Sequence, residues 1–186
     1  MDRLEIENIM KIDELNSVLE HEQASSIYGR LRWMAKEDKS LEPIRQHLKS
    51  LILLFEQKHW SDEEQITDEQ IRESDRAEEI ILFENLFIQN RKELIRKKLK
   101  ESGLSQKDLG KILGHRPNYM SELINGVRPF SKDDLVVVHL LFEIDFNELI
   151  PTFLKSEQKN QIRTTIEKLR DRGAKLRIKD FEYRID

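Results

Sequence analysis

Five histidines, at positions 21, 47, 59, 115 and 139, are the chain's nearest approach to metal-ligand chemistry, and their spacing does not deliver it. No pair forms HxxxH or HExxH, and the chain has no cysteine to complete a zinc site, a redox pair, a disulfide or a thiolate nucleophile. No glycine-rich phosphate loop and no nucleophile elbow is present, and the acidic clusters Asp62 to Glu64 and Glu78-Glu79 read as solvating charge. The expectation is a protein that is not an enzyme and carries no cofactor and no metal. What remains is hydrogen-bonding chemistry. Pro117, Asn118, Ser121, Glu122 and Asn125 fall on one face of a short helix, so a prolyl ring, two amides, a hydroxyl and a carboxylate are offered outward together.

The elements that must position these groups lie in the stretch Leu104 to Pro129, which reads as two short helices joined by a tight turn. Ser105 is placed to cap the first helix, with Asp108 three residues later as its capping-box partner, and Leu109, Ile112 and Leu113 form one apolar stripe. Gly114 ends that helix. Pro117 suits the first position of the second, whose inward face holds Met120, Leu123 and Ile124, and Asn125-Gly126 stops it.

These residues resemble a known family, the helix-turn-helix domains of Cro/C1-type repressors, also called the XRE family. The matching positions are Leu104-Ser105-Gln106, Asp108-Leu109, Leu113-Gly114, Tyr119, Ser121, Leu123 and Asn125-Gly126. The likeness continues through Arg128-Pro129 and Leu135 to Ile144-Asp145-Phe146-Asn147-Glu148-Leu149-Ile150, and spans about residues 91–152. It implies a five-helix domain whose second motif helix enters the major groove of double-stranded operator DNA. Asn118 would then pair with an adenine, Ser121 act as a flexible donor or acceptor, and Glu122 accept from a cytosine amino group, with Tyr119 at the edge of the face. By the same resemblance Gln106, Asn125 and Arg128 would hold phosphates, while Arg116 at the turn, beside Pro117, would serve either purpose. Three positions depart from the family pattern. Arg116 replaces a small polar cap, Gly110 replaces an alanine between the two helices, and Glu122 stands where relatives are often basic.

Composition frames that motif. The 186 residues are 38% hydrophobic and 37% charged, which suits helices with narrow buried faces. The longest apolar run, Leu51 to Phe55, is far too short to span a membrane, and the start lacks a signal layout, so a cytoplasmic protein with no membrane partner is expected. The net charge of −4 conceals a division. Residues 1–90 carry 11 basic and 21 acidic residues, residues 91–134 carry 11 and 6, and residues 135–186 carry 10 and 9. The segments are therefore −10, +5 and +1, and the positive block includes the run Arg91 to Lys100, either a solvated face or an electrostatic approach to phosphates.

The expected fold is mainly α, in four parts. Residues 1–60 form an acidic helical partner-binding region in which Leu4, Ile6, Ile9, Ile12, Leu15, Val18 and Leu19 recur at helical steps, followed by helices over Ala24 to Ala35 and Leu41 to Phe55. Residues 61–76 read as an acidic linker or loop, although a short helix there is allowed. Residues 77–152 are a long helix, with a bend near Asn90, leading into the helix-turn-helix domain. Residues 153–186 are a C-terminal helix over Glu157 to Arg172 and a short β segment, Leu176 to Ile185, where apolar and charged residues alternate. Trp33 and Trp60, with Phe55, Phe83 and Phe87, read as packing residues.

A DNA-binding domain behind an acidic helical region is similar in architecture to HigA-type antitoxins. That resemblance implies a homodimer that represses its own operon and neutralises a small basic RelE/HigB-like mRNA-cleaving toxin through residues 1–90. Two other readings compete with it. One is a plain repressor whose N-terminal helices dimerise or sense a ligand. The other is an interaction module in which the motif no longer binds DNA.

Overall fold

The computed structural model describes residues 4–61, 67–151 and 156–175. Among these the regular structure is helical: α1 (Ile6–Ile9), α2 (Val18–Glu37), α3 (Glu42–His59), α4 (Asp68–Glu101), α5 (Gln106–Leu113), α6 (Pro117–Ile124), α7 (Lys132–Phe142), α8 (Phe146–Leu149) and α9 (Ser156–Asp171). The expected β segment, Leu176 to Ile185, lies outside the described residues. The chain divides into two compact units, Met1–Leu149 and Ile150–Asp186.

In the larger unit, the apolar series at the start of the chain is buried as expected but is not one helix. Leu4, Ile6, Ile9, Ile12 and Leu15 are each no more than 6% exposed. Only Ile6–Ile9 closes a helical turn, and residues 12–16 carry no helix. Ser17 is the reason for the restart, because its extended backbone and its hydroxyl, which accepts from the Glu20 N–H, cap α2 from Val18 onward. Three-residue spacing gave the same burial that a helix would have given. α3 starts one residue after the expected Leu41, with Pro43 in its first turn and Leu48, Leu51 and Phe55 buried.

The stretch expected to be a linker over 61–76 is helical from Asp68. Thr67 accepts from the Gln70 N–H while the Gln70 side chain accepts from the Thr67 N–H, and this capping box starts α4. Sparse apolar spacing hid the helix, since this first part presents mostly charge and only Ala77 and then Ile81 are buried. α4 continues unbroken past Asn90 to Glu101, so its first half packs with α2 and its second half with α5, α6 and α8.

Two apolar cores result. One gathers Leu4 to Val18, α2, α3, Ala77 of α4 and, from beyond α6, Val127. The other gathers Ile95, Leu99, Leu109, Met120, Leu123, Ile124, Phe130, Val138, Phe142, Ile144 and Leu149. Trp60 and Phe55 pack around the buried His21 ring, at 5.4 Å from each other, but Trp33 is 65% exposed and not a core residue. In the smaller unit α9 runs close to its expected bounds, and Gly173 follows it with φ +91°.

Candidate nucleic-acid interface

The two-helix motif forms around the residues that signalled it. Ser105 and Asp108 exchange both capping-box bonds at the start of α5, and the Ser105 hydroxyl and amide, then Lys111, hold the Asp108 carboxyl down to about 2. Gly114 ends α5 at φ +73°, a conformation that a β-carbon disfavours, and the His115 N–H reaches back to the Gly110 carbonyl at 2.7 Å. Gly110 is buried between the helices, where an added Cβ would stand 3.2 Å from the His115 carbonyl and 3.5 Å from Met120. The departure from alanine at this position therefore fits a closer approach of α5 to the turn.

Pro117 opens α6, and Met120, Leu123 and Ile124 point into the second core, each at most 1% exposed. His115 and Tyr119 pack at 4.8 Å, and His115 Nε2 lies 2.8 Å from Asp134, which caps α7 together with Ser131. The motif is thereby tied to α7 as well as to α5.

Six of the nine residues expected at the interface are engaged within the chain. The Asn118 amide donates to Asp38 Oδ2 at 2.8 Å, reaching the corner between α2 and α3. The Asn125 amide donates to the Ser121 carbonyl at 2.8 Å and its hydroxyl at 3.3 Å. Arg128 pairs with both Glu122 and Glu7, and its guanidinium lies 4.9 Å from the Tyr119 ring centre. Gln106 is half-buried in the first turn of α5, whereas Arg116, Pro117, Asn118 and Tyr119 are exposed. Arg116 provides no side-chain cap, so the positive end of α6 is open to an approaching anion.

Glu122 is not outward. It is 7% exposed, bonded to Arg128, and its carbonyl accepts the N–H groups of Val127 and Arg128. Burial, and then the charge of Asp38, raise its pKa. Helical periodicity placed it correctly on α6, but Arg128, which Glu7 of α1 also holds, lies against its carboxylate. The basic run divides similarly. Arg91 is buried between Phe87 and Phe130, at 5.3 and 5.1 Å, and donates to the Leu149 carbonyl at 3.2 Å. Burial, followed by the Arg30 charge, lowers its pKa to about 10. Arg96, Lys97 and Lys100 are exposed, while Leu94, Ile95 and Leu99 belong to the core.

Sequence reasoning missed Glu7, Asp38 and Arg30. Arg30 donates to the Gly126 carbonyl, to Asn85 at 2.8 Å and to Ser26 at 2.9 Å, which joins the turn after α6 to α2 and α4. All three are charged residues in a highly charged segment, and nothing in their spacing set them apart.

A helix-turn-helix family model matches residues 95–149, the segment from the last two turns of α4 to the end of α8. No curated protein and no solved structure matches the chain. Among the described residues no helix is long and apolar enough to cross a membrane.

Proposed function

We propose that the chain is a sequence-specific DNA-binding transcription repressor, with α6 as the helix that enters the major groove. The observation that carries this reading is the capped α5, left-handed Gly114 and proline-started α6, within the segment that matches the helix-turn-helix model. The exposed Arg116 and Asn118 at the uncapped start of α6 supply a phosphate-binding cation and a base-reading amide. The net +5 of residues 91–134 supports the approach to phosphates. A gel-shift titration tests it, using duplexes selected from a random library by the full chain. Preference for the enriched duplex over random duplex supports the reading, and equal binding at every salt concentration sinks it.

The finer reading is an antitoxin of a type II toxin–antitoxin system, homodimeric and autorepressing. In it the N-terminal region, net −10 over residues 1–90, holds a small basic RelE/HigB-like toxin. The expected outcome is growth arrest when a neighbouring basic reading frame is expressed alone, relieved by this chain. The alternative is a plain repressor whose N-terminal helices dimerise or sense a ligand. One observation favours it: a groove lined by Trp33, Met34, Leu82 and Leu86, with Asn125 of the motif also on its wall.

A further inference from the structure

Asp38 and Glu7 are far from α6 in sequence and come from the acidic N-terminal region, yet each touches a residue that the DNA-binding reading needs. We propose that the N-terminal region is an intramolecular brake on the recognition helix, with Asp38 and Glu7 standing in for the acceptor groups of DNA at Asn118 and Arg128. The proposal rests on the DNA-binding reading and adds to it the regulation of the same surface.

The geometry is that of competition. The Asn118 amide nitrogen donates to Asp38 at 2.8 Å, so it must leave that carboxylate to present both its polar atoms to an adenine edge. Arg128 is shared between Glu7 and Glu122, so a phosphate that takes up Arg128 has to displace Glu7 or accept its charge nearby. Glu122 lies on α6 itself and moves with Arg128, whereas Glu7 does not. Both displaceable acids lie within the segment whose net charge is −10, and a phosphate backbone closing on α6 comes within a Debye length, about 8 Å, of them.

The rest of the contact fixes what can move. Arg30 holds the Gly126 carbonyl and Asn85, and Val127 is 5% exposed within the N-terminal core, so the turn after α6 is anchored. The Asp38 carboxylate is held more lightly than its backbone, which lies between the buried Ala35 and Leu41. Asp38 is bonded to the N–H and hydroxyl of Ser40 within its own turn, and reaches the motif through the one Asn118 bond. Opening therefore means that the Asp38 and Glu7 side chains swing away from Asn118 and Arg128, while the backbones that carry them stay in the same core as Val127.

The test compares the natural chain with the pair Glu7→Ala and Asp38→Ala on the duplex enriched from a random library by each protein. The brake predicts binding about tenfold tighter for the variant, with unchanged sequence preference at positions other than those read by Asn118. A control pair, Asp13→Asn and Glu73→Gln, makes the same charge change at exposed sites away from α6. It should tighten binding by no more than about twofold. Equal tightening by both pairs, or none by the first, overturns the brake while leaving DNA binding intact. If neither protein prefers any duplex, the DNA-binding reading falls and the brake with it.

Discussion

Asn118 and Glu122 are one helical turn apart on α6, and the fold treats them oppositely. Asn118 is exposed with its amide on the half-buried Asp38 carboxylate, whereas Glu122 is 7% exposed and paired with Arg128. Asn118→Ala should therefore relax preference at one base pair of the selected site, by about 1–3 kcal/mol of discrimination in competition gel shifts. Glu122→Gln should leave base preference unchanged, because the side chain is turned to Arg128 within the chain. A shifted preference in Glu122→Gln would restore that residue to the base-reading face. Arg91 shows the same division between a residue's type and its use. Its charge suggested approach to phosphates, but its guanidinium is enclosed by Phe87, Phe130 and the Leu149 carbonyl. Arg91→Ala should cost about 2–4 kcal/mol in urea unfolding, and Arg91→Lys should recover little, because an ammonium cannot stack flat between two rings. The residue types of the motif were legible in the sequence. Which of them faced water was not, because covering groups such as Asp38 come from 80 residues away.

At the scale of elements, local chemistry set what could be read. The helix-turn-helix was legible because its boundaries are marked locally, by Ser105 with Asp108, by Gly114 and by Pro117. The N-terminal helices were read from apolar spacing, and a three-residue apolar step serves a helix and the non-helical segment over 12–16 equally well. Thr67 and Gln70 were a capping box in plain view, but the charged turn that follows offered no apolar stripe to give it weight. These caps carry energy that can be measured. Ser131→Ala removes the hydroxyl that accepts the Asp134 N–H, and should lower stability by about 1 kcal/mol in urea unfolding. The cap of α5 adds a pH dependence. Asp108 is depressed from an ordinary value of 3.8 to about 2, first by the Ser105 hydroxyl, so the folded state favours its ionised form. The stabilisation is complete above pH 4 and is lost as pH falls toward 2. Ser105→Ala should flatten that part of the stability profile, and an unchanged acid limb would mean that Asp108 draws its ionisation from elsewhere.

For the whole molecule, the decisive junction is the turn that leaves α6. The sequence divides into an acidic region and a basic motif, which suggests two independent bodies. The fold instead joins them within one compact unit, Met1–Leu149. Gly126 makes the join possible. It has φ +69°, and a Cβ there would stand 2.5 Å from Cγ2 of Ile88 on α4, inside any tolerable contact. The next residue, Val127, is then delivered into the N-terminal core, while Arg30 takes the Gly126 carbonyl. Loss of either core thus strips partners from the other, and the two should unfold together. In urea, fluorescence from Trp33 and Trp60 reports the N-terminal helices, and amide exchange at Leu123 and Ile124 reports α6. Their midpoints should coincide, and separated midpoints would show two bodies after all. Gly126→Ala should shift both probes downward together, by about 1–3 kcal/mol, since it adds a steric clash to a left-handed backbone. Adding Ile88→Ala should recover only the clash, because φ at 126 stays positive. Full recovery would mean that the close approach to Ile88, and not the backbone conformation, is what requires glycine at the point where the acidic helices meet the motif.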